Sequence, residues 1–256
     1  MVFTSPQREQ IRAQLIAAAQ ADTRIVGAAH FGSAALGSQD RWSDIDLGLC
    51  LADDAHSDQV LIDWTERLYR DHAAVTTYDV RRGDILYRVF LLDNTLQIDL
   101  SFWPTTQFRA LGPKFRVIFG VAGEPIAAPD TDSKDLIGMA WLYALHVRSS
   151  IARSRLLQAE YMLSGIRDNV LALMCKRQGV TAVQGRGLDD LGEEQKVRAR
   201  ESLAHSLEPA ELNRAFRVTM GDLLEELRYA DSDLAAKLEG PLNTIVNFST
   251  SSPQGN

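Results

Sequence analysis

GSAALGSQDRWSDIDLGL, residues 32–49, decides the fold. It opens with Gly32-Ser33 and a run of small residues, as a turn into a helix does. It then passes through Ser43-Asp44-Ile45-Asp46-Leu47 into an apolar, strand-like segment. Successive side chains on a strand point to opposite faces. Asp44, Asp46, Gly48 and Cys50 therefore share one face, while Ile45, Leu47, Leu49 and Leu51 form the core-facing side. A later segment, 96–103, repeats the arrangement with Gln97, Asp99 and Ser101 against Ile98, Leu100 and Phe102. If the two strands are neighbours, three carboxylates converge on one side of the sheet.

Clustered acids repel and raise one another's pKa unless a cation lies among them. Acids two apart on a strand, about 6.5–7 Å between Cα atoms, can lean together over a pair of cations about 3.5–4 Å apart. An all-oxygen donor set suits Mg²⁺, which keeps several waters and shares its shell with substrate phosphates. Asp44, Asp46 and Asp99 are thus the predicted metal ligands, with two Mg²⁺ ions expected. The plainer alternative is three solvated acids on the wet face of a sheet. Gly32 allows close backbone approach to a ligand, and a helix starting near Ser33 aims free N–H groups at an anion. The Ser33 hydroxyl adds to them. A phosphate cradle and a metal site in one short segment point to a nucleoside triphosphate.

Outward from this stretch, 6–21 is a predicted helix with Ser5 as N-cap and Pro6 at its first position. Segments 23–31 and 43–52 read as strands, and 57–72 as an amphipathic helix. Three more strands follow at 75–80, 84–93 and 96–103, separated by Arg-Arg-Gly and Asp-Asn-Thr turns. After about residue 120 the character changes. Residues 120–133 hold Gly, Pro and small polar residues and read as a linker. Beyond them the pattern is helical at about 134–178, 193–206, 209–229 and 231–247. The expectation is an α+β fold: a mixed sheet with flanking helices over 1–125, a helical C-terminal domain over 132–248, and a disordered tail over 249–256.

The chain has 256 residues, 45% of them hydrophobic, which is ample for a core. Cys50 and Cys175 stand far apart without metal-ligand spacing, which argues against a disulfide framework or a zinc site. The formal net charge of −7 argues against broad nucleic-acid binding, which draws on Lys and Arg contacts to phosphate. The apolar run 136–147 is too short to span a bilayer; its surface could support a homodimer. Residues 1–14 show no secretory pattern. A cytoplasmic protein without membrane or nucleic-acid partners is expected.

Phe31-Gly32-Ser33, ten intervening residues, Asp44-Ile45-Asp46-Leu47 and a downstream Asp99 together resemble the nucleotidyltransferase superfamily signature. Length and the helical second half are similar to bacterial nucleotidyltransferases acting on aminoglycosides or lincosamides. The resemblance implies transfer of a nucleoside monophosphate, AMP from ATP, to a hydroxyl of a small acceptor, with an antibiotic-resistance role among its implications. Asp44 and Asp46 would hold both ions, with Asp99 completing the catalytic site. Many small members carry an Arg shortly after Gly-Ser; here that place reads Ala-Ala-Leu-Gly, so Arg41 is the candidate triphosphate contact. In the helical half, the stripe His146, Ser150, Arg153, Leu157, Glu160, Ser164, Arg167 falls on one face of a continuous helix. Glu160 is the candidate acceptor ligand or general base, a role Asp99 could equally fill. Arg153 and Arg167 would lie near phosphate or steady Glu160; an intrahelical ion network is the alternative. Trp103 reads as core or pocket wall, and Tyr161 and Trp103 could line an acceptor pocket. Two other activities fit the motif: an antitoxin-like protein AMP-transferase, and a nucleotide-binding module without chemistry.

Overall fold

The computed structural model describes residues 2–127 and 130–248; the expected disordered tail, 249–256, lies outside the described residues. The chain forms two compact units, Met1–Pro129 and Asp130–Asn256.

The first unit is built on a six-stranded mixed sheet of order β3-β4-β5-β2-β1-β6. The strands are β1 (Ile25–Phe31), β2 (Ile45–Leu51), β3 (Ala74–Arg82), β4 (Ile85–Leu92), β5 (Gln97–Pro104) and β6 (Phe115–Phe119). The β2–β5 pair is parallel and the other neighbouring pairs are antiparallel. The two strands that carry the acids are therefore neighbours. Strand β6 was not anticipated from the sequence. It closes the edge beside β1.

Helices α1 (Ser5–Ala21) and α3 (Ser57–His72) cover one face. They bury Leu15, Ala19, Val60, Leu61, Trp64 and Leu68 against Ile45, Leu47, Leu49, Ile98, Leu100 and Phe102. Each such side chain contributes roughly 1.5–3 kcal/mol on burial. The Trp64 indole N–H finds Asp22 Oδ2 at 3.2 Å, so this large ring is buried without an unpaired donor. The N-cap of α1 is Thr4, not Ser5. Gln7 at the third helical position completes a capping box: its Oε1 accepts from the Thr4 N–H at 2.9 Å, and its own N–H donates to Thr4 Oγ1 at 3.4 Å. Between β1 and β2 lies a one-turn helix, α2 (Gly32–Leu36), closed by left-handed Gly37.

The opposite face carries a small aromatic cluster. Phe31 stacks on Trp103 at 5.5 Å between centroids, and Phe108, Phe115 and Tyr87 pack edge-on around them. Trp103 is fully buried and its indole N–H donates to Ser101 Oγ at 2.8 Å. It is core.

The second unit is helical: α4 (Ser133–Ala152), α5 (Leu156–Gln178), α6 (Glu193–Glu201), α7 (Pro209–Ala230) and α8 (Ser232–Phe248). The segment 134–178, expected as one helix, is broken. Ser154 adopts φ +54°, and the Arg155 N–H turns back to the Ser150 carbonyl at 2.9 Å. Buried aliphatic residues of α4, α5, α7 and α8 form one core. Two buried acids of α7 are paired with arginines: Glu226 with Arg177 at 2.9 Å and Asp222 with Arg198 at 2.6 Å. Among the described residues no helix is long and apolar enough to cross a membrane.

Candidate active site

Parallel pairing of β2 with β5 sets Asp46 directly opposite Asp99. Both side chains leave the sheet on the face away from α1 and α3, because Ile45, Leu47, Ile98 and Leu100 occupy the covered face. Asp44 does not lie on the strand as expected; β2 begins at Ile45, and Asp44 is the last residue of the preceding loop. It still joins the group. Asp44, Asp46 and Asp99 are half-buried, and each offers a carboxylate oxygen within 4.8 Å of the others. Such a set can hold a divalent cation through oxygen ligands alone. Gln97, two residues before Asp99 on the same face, donates from Nε2 to Asp99 Oδ1 at 2.9 Å and orients that carboxylate. Gln97 was legible as a face neighbour, but its bond depends on a rotamer the sequence does not specify.

Gly32 sits against this cluster. Its φ is +57°, a conformation that L side chains rarely adopt, and a Cβ there would overlap the Asp46 carboxylate. The position requires glycine twice over: for the backbone turn and for the space beside Asp46. Ser33 follows in the first turn of α2, and its carbonyl accepts from the Gly37 and Ser38 amides. Gly48, next to Asp46 on the same face, leaves room for the Phe31 ring. Gly32 and Gly48 thus each leave room for a neighbour at or beside the acids.

The loop from Gly37 to Asp44 is compact. Asp40 Oδ1 accepts from the Trp42 amide at 2.8 Å and from Ser43 Oγ at 3.0 Å. These bonds hold the Asp40 carboxyl below the usual carboxylate range. Arg41 lies in this loop, exposed, with its guanidinium 4.6 Å from the centroid of the Trp42 ring. Behind the motif, His30 is half-buried with an unpartnered Nδ1. Burial first, then the charges of Arg12 and Arg116, push its pKa down to about 4.

The remaining candidates belong to the helical unit. Glu160 and Arg167 both lie on α5 and are joined through Ser164. The Ser164 hydroxyl donates to Glu160 Oε1 at 2.6 Å, and Arg167 Nη2 donates to Ser164 Oγ at 2.7 Å. Arg167 Nη1 also reaches the Ser202 carbonyl at 3.2 Å. Arg153 is not part of this group: it caps the end of α4, beyond which the chain turns, so the continuous stripe from His146 to Arg167 does not exist. Beside Glu160 a cleft of about 290 Å³ is lined by Tyr143, Tyr161, Ser164, Gly165, Asp168 and Asn169. Gly165 gives the Tyr143 ring its place, since a Cβ would press into that ring.

No family model and no curated protein matches the chain. Among solved structures it is similar to an aminoglycoside 6-adenyltransferase from Bacillus subtilis. The two share 13% identity at a TM-score of 0.44, over 93% of this chain and 96% of that one. At that score the likeness carries no argument about chemistry.

Proposed function

We propose that the protein is a metal-dependent nucleotidyltransferase that moves a nucleoside monophosphate, AMP from ATP, onto a hydroxyl of a small acceptor of the aminoglycoside or lincosamide kind. The observation that carries this reading is the convergence of Asp44, Asp46 and Asp99 within 4.8 Å, with Gly32 against Asp46 and Ser33 opening the adjacent helix turn. Solvated acids on a wet sheet face have no need of a glycine fitted against one of them.

In this reading Asp44 and Asp46 would hold two Mg²⁺ ions, and Asp99 would complete the site nearest the nucleophile. When bound, the ions supply charge neutralisation at the α-phosphoryl group and the leaving pyrophosphate during in-line displacement. Gln97 restrains the Asp99 carboxylate through its bond to Oδ1. The first-turn amides of α2, which have no partner within the helix, and the Ser33 hydroxyl face the triphosphate, and Arg41 is the loop cation available to it. The acceptor hydroxyl gives up its proton to Asp99 at the cluster. Glu160, held by Ser164 and Arg167 in the helical unit, is the other candidate for acceptor ligand or general base.

The test is pyrophosphate release from ATP and Mg²⁺ across a panel of aminoglycosides and lincosamides, with Asp44→Asn as control. Release with one acceptor, abolished in a folded Asp44→Asn, is the expected result. Release that survives in the variant would sink the assignment. Labelled nucleotide on a protein band in lysate would transfer the acceptor from a small molecule to a protein.

A further inference from the structure

Asp46 and Asp99 are held in place by the sheet, since β2 enters its register with β5 at Ile45 opposite Ile98. Asp44 precedes that ladder. Its position depends on the loop that begins after α2, and that loop is fastened from behind by α1. Arg8 is only 3% exposed. Its Nη1 donates to the carbonyl oxygen of Asp40 and, at 3.0 Å, to that of Ser43. The Ser43 carbonyl belongs to the peptide unit that joins Ser43 to Asp44, so the bond acts on the plane from which Asp44 departs. Arg8 Nε donates to Glu9 Oε1 at 3.1 Å. A guanidinium buried this far is costly unless its hydrogens are used; here Nη1 serves the main chain of one loop and Nε serves Glu9.

Two further arginines brace the same segment. Arg12 Nη1 donates to Gln39 Oε1 at 2.6 Å, and Arg116 Nη2 donates to the Ala34 carbonyl at 2.9 Å. All three cations approach the stretch between Gly32-Ser33 and Asp44, yet Arg8 alone grips the residue next to Asp44.

We propose that Arg8 is a positioning residue that fixes Asp44 in the carboxylate cluster by tying down the carbonyls of Asp40 and Ser43. This rests on the reading of the cluster as a divalent-metal site. Groups that orient metal ligands from outside typically matter by about 10–100-fold in metal affinity. Lysine is no substitute, because its ammonium ends near the place of the guanidinium carbon and falls short of both carbonyls.

The experiment is Mn²⁺ binding to the full chain, followed by electron paramagnetic resonance, in wild type, Arg8→Met, Arg8→Lys and Arg24→Met. Arg24 pairs with Asp22 and Asp63 at the other end of β1 and serves as the control for a lost ion pair alone. The expected Mn²⁺ Kd rises about 10–100-fold in Arg8→Met, rises less in Arg8→Lys, and is unchanged in Arg24→Met. Amide exchange at Trp42 and Ser43 should quicken in Arg8→Lys. Wild-type affinity in folded Arg8→Met overturns the proposal, as does wild-type affinity in Arg8→Lys if the Met variant does not fold. If both variants are unfolded by circular dichroism, the role is structural and the proposal fails. A wild-type chain that binds no Mn²⁺ is a different result: it removes the metal reading itself.

Discussion

Replacing Gly32 by alanine separates two costs that usually arrive together. The first is conformational: an L residue in the left-handed region costs about 1–2 kcal/mol, and Gly32 has φ +57°. The second is local to the site, because the new Cβ would overlap Asp46 Oδ2 and stand 3.3 Å from its Cγ. To restore an ordinary C···O separation of about 3.3 Å, the carboxylate oxygen must withdraw by about 1 Å. A displacement of that size at a reacting centre costs about 10²-fold, equivalent to about 2.7 kcal/mol. Gly37 supplies the comparison. Its φ is +67°, yet a Cβ there would meet nothing within 4 Å. Gly37→Ala should therefore lose the same 1–2 kcal/mol or so in urea denaturation and keep its Mn²⁺ affinity. Gly32→Ala should lose that stability and about 10–100-fold in Mn²⁺ affinity as well. Equal Mn²⁺ affinity in the two variants would refute the reasoning, because the contact with Asp46 would then have no consequence.

Three further outcomes are expected. His30, with its pKa pushed down to about 4, resists protonation in the folded state. The stability it supports is full above about pH 6.5 and declines as pH falls toward 4. His30→Gln should flatten that acid decline in thermal denaturation, and parallel wild-type and mutant curves would count against it. Glu211, held down to about 2 first by its bond to Arg214 and then by the His205 amide, contributes stability above about pH 4.5 that is lost as pH falls toward 2. The stability difference between wild type and Glu211→Gln should accordingly vanish over that window; a constant difference contradicts it. Arg177→Met strands Glu226, which is 2% exposed, and should cost about 3–5 kcal/mol at pH 7. The cost should shrink on acidification, since burial already raises the Glu226 pKa. Arg177 also lies over the Tyr229 ring, 4.2 Å from its centroid, and a loss that does not change with pH would show that it acts only through that packing.

The carboxylate cluster was legible because a strand has a period of two: the alternation at 45–51 and 97–103 sorts acids from core residues without tertiary information. The link between Gly32-Ser33 and the acids came from the resemblance of their spacing to the nucleotidyltransferase signature. What the pattern misplaced was Asp44 itself. Alternation runs through it, yet the ladder with β5 starts one residue later, and a ladder's end depends on its partner. The helix break at Ser154 carried no signal, for neither Gly nor Pro marks it; the turn is secured by the Arg155 amide on the Ser150 carbonyl. Strand β6 is five residues long with mostly exposed or half-buried side chains, and its identity comes from pairing with β1. The cap at Thr4 was readable, since Thr-x-x-Gln is a capping-box pattern that Ser5 does not complete. Arg8 was not. An arginine on a helix reads as a solvated residue, and its partner lies 35 positions away.

The most direct test of the central claim is a count of Mn²⁺ bound per chain in the presence of a non-hydrolysable ATP analogue. It would be run on wild type and on Asp44→Asn, Asp46→Asn and Asp99→Asn, each verified as folded. Two ions in wild type, with at least one lost in every variant, is the result the account predicts. Wild-type occupancy in all three variants, or none in wild type, would contradict it and leave three solvated acids on a sheet face.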